Sequence, residues 1–278
     1  MKAISKRAKI GRLLIHIFLM IGCVITLYPL IWMLVSSFKS TTNVMSVPPV
    51  FFPKNPTFEN YATVFGDYIG RFFLNSLWIA VVKTAIPVYT SALLGYIFAK
   101  FRFKGKNAMF YVFIATMMVP WIVTIIPLYN LFNKMHLLDS YWALILPAVI
   151  SGYGVYLVRS FMYQVPTELI ESARIDGCSE FAIFNRIIMP LVKPAMAALG
   201  IILFLGAWDD YLWPFLVLTT ESKYTLTIGL AKYAFKQYTI AYGPVLAGSV
   251  ISILPVVIVY IFLQKHIVEG ISLGGVKG

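Results

Sequence analysis

Six long apolar runs restrict the fold of this sequence more than any other feature. They cover approximately residues 13–35, 73–99, 108–132, 141–160, 195–218 and 243–263. A helix of about 20 apolar residues is long enough to cross a bilayer, and each run reaches that length. With 60% hydrophobic and 12% charged residues, the chain is too apolar for a soluble domain of its size. The sequence therefore predicts an all-α integral membrane protein with six transmembrane helices in a lipid bilayer.

The lysines and arginines predict the orientation of these helices. With six spans and an inner N-terminus, 15 of the 23 basic residues lie in cytoplasmic segments, seven lie outside, and Lys83 lies within a span. Because basic residues accumulate on the cytoplasmic side, we expect both termini to be cytoplasmic. The net charge of +12 is spread over these loops. The basic residues are not concentrated in one folded domain, so nucleic acid is not expected as a partner.

The same pattern divides the chain into three parts. Residues 1–72 hold a cytoplasmic N-terminal segment, the first transmembrane helix and a proline-rich external segment. Residues 73–265 form a core of five helices with a polar cytoplasmic loop, 166–190, and residues 266–278 form a cytoplasmic tail. Cys23 and Cys178 are expected to stay unpaired, because Cys178 lies on the reducing side.

The polar loop 166–190 predicts two short helices joined by a turn. Thr167 is a candidate N-cap for the first helix, and Glu168 and Glu171 fall in its first turn. Gly177 can end that helix in a left-handed conformation, and Ser179 can cap the second helix. In the second helix, an apolar stripe is expected at helical spacing, made by Phe181, Phe184 and Ile188.

The spacing within this loop resembles the signature loop of permeases from ATP-binding-cassette (ABC) importers. Glu171-Ser172-Ala173 is followed after three residues by Gly177, then after nine by Ile187 and after one by Met189-Pro190. Ser172 and Met189 depart from the commonest residues of the pattern. The Asp176-Gly177 step and the prolines at 190 and 194 resemble the carbohydrate branch, such as the smaller permease of the maltose importer.

The resemblance implies the fold of a type I ABC importer permease and a contact with an ATPase subunit. The residues expected to make that contact are Glu168, Glu171, Ser172, Ala173, Asp176, Gly177 and Phe181. The last residues also resemble the smaller maltose permease, whose end reaches between the ATPase subunits. That likeness implies an ATPase-contacting tail of Gly274, Gly275, Val276 and Lys277, whereas composition alone is equally typical of a disordered end.

Three charged residues fall inside the predicted spans: Lys83 in the second, and Asp209 and Asp210 in the fifth. Charges in lipid are costly and usually functional. We expect one aspartate to pair with Lys83 or a backbone group, and the other to face a translocation path lined by Trp208 and Trp213. The alternative is a polar packing cluster that orients the fifth span.

The sequence contains no catalytic or metal-binding motif. Its three histidines are far apart, its cysteines lack zinc spacing, and the phosphate-binding sequence Gly-x-x-x-x-Gly-Lys-Ser/Thr is absent. We therefore expect a non-catalytic subunit that binds no metal and no cofactor. If transport is driven by ATP, then ATP and magnesium belong to other subunits.

Together, these features predict a permease subunit of an ATP-driven importer for a sugar or oligosaccharide, in the bacterial cytoplasmic (inner) membrane. The resemblance implies a second related permease, two ATPase subunits and an extracytoplasmic sugar-binding protein as partners. The alternative from another class is an ion-coupled secondary transporter that uses Asp209, Asp210 and Lys83. The sequence does not identify the sugar.

Overall fold

The computed structural model describes residues 6–40, 44–66, 69–234 and 242–275, and within them it contains helices and no strand. Its α-helices in chain order are α1 (Lys6–Ser36), α2 (Glu59–Gly66), α3 (Ile69–Lys100), α4 (Lys106–Met118), α5 (Trp121–Lys134), α6 (Tyr141–Ile145), α7 (Gly152–Met162), α8 (Glu168–Ile175), α9 (Glu180–Ile183), α10 (Met189–Leu191), α11 (Lys193–Trp208), α12 (Leu212–Val217), α13 (Leu226–Ala234) and α14 (Tyr242–Gly275). The predicted all-α class is confirmed.

Four segments are long and apolar enough to cross a membrane: Ile10–Ser36, Ile69–Lys100, Trp142–Met162 and Tyr242–Phe262. Two further candidates are bent pairs of helices, Lys106–Met118 with Trp121–Lys134 and Glu180–Leu191 with Lys193–Trp208. The described residues therefore hold four spans, or up to six if each bent pair counts as one. The six predicted runs agree with the upper value in number, but the second bent pair begins inside the predicted loop 166–190 and ends at Trp208, whereas the fifth run was predicted over 195–218.

The third run was predicted as one span that contains Pro120 and Pro127, and in the structure this run is sharply bent at the first of these prolines. Helix α4 ends at Met118, and α5 begins at Trp121 with a bend of 101°. Pro120 explains the break, because a proline has no N–H for a helix and pushes the preceding residue into extended conformations. Val119 has that conformation, with φ −84° and ψ 115°.

The fifth run is also interrupted, where one span over 195–218 was expected. Helix α11 ends at Trp208, and α12 begins at Leu212. A proline at 214 cannot donate to the carbonyl of Asp210 four residues earlier, and its ring would clash with that carbonyl in a continuous helix. The Asp210 carbonyl instead accepts a hydrogen bond of 2.9 Å from the Thr227 hydroxyl. Asp209 and Asp210 consequently lie in a break and not within a regular helix.

The chain divides into two compact units, Met1–Gly70 with Leu230–Ile253, and Arg71–Gly229 with Leu254–Gly278. In the first unit, the end of α1 is fixed by a buried lysine, since Lys39 donates to Ser36 Oγ at 2.9 Å and lies 5.4 Å from the Trp32 ring. Asn60 of α2 donates to the backbone carbonyls of Ser37 and Lys39. The predicted boundaries at 72 and 265 stay predictions.

The second unit contains the polar loop and the three charged residues of the predicted spans. A continuous buried cluster joins α3, α7, α11 and the loop. It consists of Ala92, Tyr96, Val158, Met162, Val165, Ile170, Ala173, Ile183, Phe184, Ile188, Val192 and Leu199. Because loop residues belong to this cluster, the loop is packed against the helices.

Candidate functional site

The turn of the loop has the geometry that the sequence predicts. Gly177 has φ +77°, and its N–H donates to the carbonyl of Arg174 at 3.1 Å. The N–H of Cys178 donates to the carbonyl of Ala173 at 3.0 Å. These two bonds form a Schellman motif, which ends a helix with a left-handed residue. Ser179 caps α9 by accepting from Ala182 N, so the predictions for Gly177 and Ser179 are confirmed.

The prediction that Thr167 caps α8 with its side chain is wrong. Thr167 has helical angles, φ −72° and ψ −25°, and its side chain makes no capping bond. An N-cap side chain reaches the first turn from an extended backbone, which Thr167 lacks. Its backbone carbonyl accepts from Ile170 and Glu171, and its hydroxyl accepts from Lys100 Nζ at 3.4 Å.

The expected apolar stripe of the second helix is only partly present. Phe184 and Ile188 are buried, but Phe181 is 68% exposed. In α9 the buried residue is Ile183 and not Phe181, and a π-helical turn over Phe184–Ile188 follows this helix. Phe181 therefore points away from the core and remains available for a contact outside this chain.

The exposed face of the loop contains most residues expected to meet an ATPase. Six of the seven are exposed, namely Glu168, Glu171, Ser172, Asp176, Gly177 and Phe181, whereas Ala173 is buried in the core. Ile175, at the end of α8, was not among the predicted contact residues, although it is 86% exposed. Helical spacing could have predicted this exposure. Ile170 and Ala173 form the buried face of α8, and Ile175 lies on a different face of the helix.

A polar anchor, defined here as Tyr96, Lys100, Arg174 and Glu180, fixes the loop to the C-terminal end of α3. The Tyr96 hydroxyl donates to Glu180 Oε2 at 3.1 Å, and Arg174 Nε donates to Glu180 Oε1. Lys100 Nζ donates to the carbonyl of Val165. The hydrogen bond to Glu180 raises the pKa of the Arg174 guanidinium. Sequence periodicity could not reveal these pairs, because they join residues up to 84 positions apart.

The aspartates of the fifth run have different environments. Lys83 Nζ donates to Asp210 Oδ2 at 2.8 Å, and the two side chains are 12% and 23% exposed. Asp209 is exposed, and its N–H donates to the carbonyl of Leu205. The expectation that one aspartate pairs with Lys83 is confirmed, and the structure identifies it as Asp210.

The tryptophans beside these aspartates do not line an open path within this unit, which corrects that part of the expectation. Trp208 is 2% exposed and Trp213 is 1% exposed. Trp213 Nε1 donates to the carbonyl of Ala143 at 2.8 Å, and Trp208 stacks on Phe204. Large aromatic side chains with satisfied polar atoms belong to a packed core. Packing is therefore the better description of both tryptophans.

Another polar cluster joins the loop after α5 to the loop after α12. Asp139 accepts from the N–H groups of Thr219 and Thr220, from the Thr220 hydroxyl, and from Lys223 Nζ at 2.8 Å. Burial opposes ionisation of the carboxyl, but the bonds from Lys223 and Thr220 outweigh it and hold the pKa of Asp139 well below its ordinary value. The cluster holds together the loops after α5 and α12, whose contact could not be predicted from their short polar sequences.

The expected ATPase-contacting tail lies partly outside the described residues. Gly274 and Gly275 are the last two residues of α14, whereas Val276 and Lys277 lie beyond the described range. Among the described residues, no group of three His, Cys, Asp or Glu side chains is placed to hold a metal ion. Cys23 and Cys178 are both free and exposed.

Comparisons with known proteins identify the group to which this architecture belongs. Residues 91–272 match the family model described as "Binding-protein-dependent transport system inner membrane component". The chain is 37% identical over 278 residues to an arabinooligosaccharides transport system permease protein of Bacillus subtilis (strain 168), with 99% of both chains covered. It is 35% identical over 263 residues to a diacetylchitobiose uptake system permease protein of Streptomyces coelicolor, covering 93% of this chain and 87% of that protein.

A solved structure supports the fold. The chain resembles a component of a bacterial ABC transporter involved in the import of the acidic polysaccharide alginate, with a TM-score of 0.86 and 24% identity. The match covers 95% of this chain and 99% of the other. The expected fold of an ABC importer permease is therefore confirmed.

Proposed function

The chain belongs to the family of binding-protein-dependent transport system inner membrane components, as a sugar-importing permease subunit, and on this premise we propose how it works. ATP-driven closure of partner subunits moves the loop 166–190, and the loop moves the spanning helices. The chain is a multi-pass protein of the bacterial cytoplasmic membrane, and we propose that both its termini are cytoplasmic.

The observation that carries this proposal is the way the loop is built. Its outer face presents Glu171, Ile175 and Phe181 to a partner, while its inner face is packed into the core around Phe184. Such a loop can transmit a push, because close-packed side chains resist compression. A loop without this inner packing would absorb the movement of its partner.

Helix α3 gives the movement a route into the membrane. The polar anchor connects the loop to Tyr96 and Lys100, near the inner end of this helix. Tyr96 lies 13 residues from Lys83 in the same helix, and at 1.5 Å per residue this distance is about 20 Å. Since Lys83 pairs with Asp210, a shift of α3 would also act on the break between α11 and α12.

The partners in this proposal are a second related permease, two ATPase subunits and an extracytoplasmic sugar-binding protein. ATP and magnesium would bind to the ATPase subunits, and this chain would contribute no catalytic group. The tail of Gly274, Gly275, Val276 and Lys277 would reach the ATPases. Alternating access would then follow from rocking of the two permeases around a central site.

The substrate in this proposal is a small oligosaccharide, because named relatives transport such molecules. Those relatives include permeases for arabinooligosaccharides, diacetylchitobiose, lactose and galactooligosaccharides. The match to the arabinooligosaccharide permease covers 99% of both chains, so arabinooligosaccharides are the first substrates to test.

Uptake by the complete complex in proteoliposomes tests this function. Arabinotriose, diacetylchitobiose, lactose and galactotriose would each be supplied with the binding protein. We expect uptake of at least one sugar that requires ATP inside and continues after ionophores collapse ion gradients. Uptake that needs no ATPase subunit and stops with the ion gradient would instead support an ion-coupled secondary transporter using Asp209, Asp210 and Lys83.

A labelling experiment tests the orientation. In a background with Cys23→Ser and Cys178→Ser, a cysteine placed at Thr220 should react with a membrane-impermeant thiol reagent in intact cells. A cysteine placed at Ser179 should react only after the membrane is opened. Reaction at position 179 from outside would reverse the proposed topology.

A further inference from the structure

A cavity of about 280 Å³ opens beside the ion pair of the spanning helices. Its lining comes from α3, from the segment that precedes α7 and from α11, and includes Lys83, Pro87, Ser151, Ile202 and Gly206. All these residues belong to one compact unit, so the cavity is a feature of this chain. Trp208 and Trp213, which are packed in the core, do not line this cavity.

Polar groups at the cavity can both donate and accept hydrogen bonds. Lys83 contributes an ammonium group that already contacts Asp210 at 2.8 Å. Pro87 has no N–H, so it cannot give the carbonyl of Lys83 its usual helical hydrogen bond. The Ser151 oxygen accepts from Gly154 N, which leaves the hydroxyl proton for another partner.

Apolar groups form the remaining part of the lining. Ile202 and Leu203 of α11 supply aliphatic surface, and Ala207 adds a small side chain next to Gly206. Ligand sites commonly combine such surface with a few directed polar groups. A sugar ring has the matching character, because it presents hydroxyl groups at its edge and C–H groups on its faces.

The local charge favours an uncharged ligand. A lone lysine would attract a carboxylate, but Asp210 already compensates the charge of Lys83. Asp209 is the next residue, and it is exposed. Asp209 does not line the cavity, so the neutral Lys83–Asp210 pair determines the local charge. This pair offers no uncompensated positive charge to a uronic acid, whose carboxylate would lose hydration in the cavity without gaining a counter-ion.

We propose that this cavity is a saccharide subsite that holds one neutral sugar unit during import and discriminates against acidic sugars. This inference rests on the proposed function and adds to it a binding site and a substrate class. The Lys83–Asp210 pair then has two tasks, since it joins α3 to the break after α11 and offers hydrogen bonds to sugar hydroxyls.

Gly206 provides a precise way to fill the cavity. A Cβ placed at this position would meet nothing within 4 Å, so larger side chains extend into open space without displacing the core. In the complete complex, we expect Gly206→Trp to lower ATP-driven uptake of arabinotriose by at least about tenfold. Gly22→Trp is the matched control, because Gly22 is exposed in α1, a Cβ there also meets nothing within 4 Å, and the residue does not line the cavity. It should change uptake less than about twofold.

A protection experiment separates sugar binding from a purely structural effect and does not depend on the tryptophan variant. In the solubilised complex with Cys23→Ser and Cys178→Ser, Gly206→Cys would be modified with a small methanethiosulfonate reagent. We expect millimolar arabinotriose to slow this modification severalfold, whereas trigalacturonate at the same concentration leaves the rate unchanged. Cysteine substituted at exposed Ser160 should react equally with and without sugar.

The outcomes distinguish this inference from the function on which it rests. Normal uptake by Gly206→Trp in a complex that imports sugar overturns the subsite alone. Equal protection by neutral and acidic sugars overturns the discrimination, and no protection by arabinotriose overturns sugar binding at the cavity. If the wild-type complex imports none of the four sugars, the proposed function fails, and the subsite fails with it.

Discussion

Two ion pairs in the same compact unit have the same chemistry but different surroundings. Lys83 and Asp210 join α3 to the break after α11, and their side chains are 12% and 23% exposed. Arg174 and Glu180 join the two helices of the polar loop, and their side chains are 41% and 44% exposed. Water and salt screen the second pair much more effectively than the first.

This difference indicates two separate roles. A pair within spanning helices cannot exchange its partners for water, so loss of one member leaves an uncompensated charge. An exposed pair contributes little to stability, because solvent replaces each lost contact. We therefore assign the Lys83–Asp210 pair to assembly and sugar contact, and the Arg174–Glu180 pair to positioning of the loop.

Removal of the lysine from the spanning pair should have the largest effect. We expect Lys83→Met to destabilise the subunit by about 3 kcal/mol, because Asp210 keeps a poorly solvated charge unless it becomes protonated. Lys193→Met is the matched control, since Lys193 is exposed and should tolerate the change. The yield of intact solubilised complex and its thermal midpoint measure the difference.

A second substitution sharpens this test. Lys83→Met combined with Asp210→Asn removes both charges and should recover part of the lost stability and assembly. If Lys83→Met alone assembles as well as Lys193→Met, the spanning pair is no more important than a surface pair. The proposed difference between the Lys83–Asp210 pair and the exposed Arg174–Glu180 pair would then be wrong.

The Asp139 cluster should have an intermediate effect that depends on pH. Because the folded pKa of Asp139 is lowered, its stabilisation is complete above the ordinary aspartate value of about 4 and is lost as the pH falls further. Asn tolerates the positive φ of 54° at this position. Asp139→Asn should therefore cost about 1 kcal/mol at pH 7, after allowance for the exposure of Lys223.

The measurement is the thermal midpoint of wild type and Asp139→Asn between pH 7 and pH 3. We expect a difference of about 2–4 °C at pH 7 that shrinks as the pH falls below about 4. A difference that stays constant over this range would show that the ionised carboxylate adds nothing to the cluster.

The smallest effect on stability is expected for the polar anchor. Tyr96→Phe removes the hydroxyl that donates to Glu180 at 3.1 Å but keeps the ring against Phe184. We expect a loss of about 1 kcal/mol or less and a severalfold decrease in sugar imported per ATP hydrolysed. Tyr89→Phe is the control, because its hydroxyl makes only a long contact of 3.4 Å. Equal import per ATP in both variants would remove the anchor from the coupling route.

The sequence was sufficient where local chemistry decides the structure. The left-handed Gly177 and the cap at Ser179 follow from residue types at fixed positions, and both are present. Six apolar runs were enough to predict the helical membrane class. The pairing of Lys83 with an aspartate followed from the cost of separate charges in lipid.

Sequence patterns were insufficient where prolines or contacts between distant residues determine the structure. Pro120 was visible within the third run, but neither the 101° bend beside it nor the break before Pro214 follows from the apolar pattern, which continues through both positions. The choice of Asp210 over Asp209 depends on how the chain leaves α11, and the burial of Trp213 depends on Ala143, 70 residues away. The exposure of Phe181 was also missed, because its spacing from Phe184 predicts one shared apolar face, whereas Ile183 is the residue of α9 that is buried.

The central claim is that the loop 166–190 couples ATP hydrolysis to transport, and a pair of matched glycines tests it most directly. Gly177 and Gly105 have nearly equal φ angles of +77° and +81°, and a Cβ at either would meet nothing within 4 Å. Valine at each position should therefore cost a similar amount, about 1–2 kcal/mol of backbone strain. The measurement is ATPase stimulation by the sugar-loaded binding protein in the assembled complex. We predict that Gly177→Val loses this stimulation and Gly105→Val keeps it, whereas equal stimulation in both variants would contradict the account.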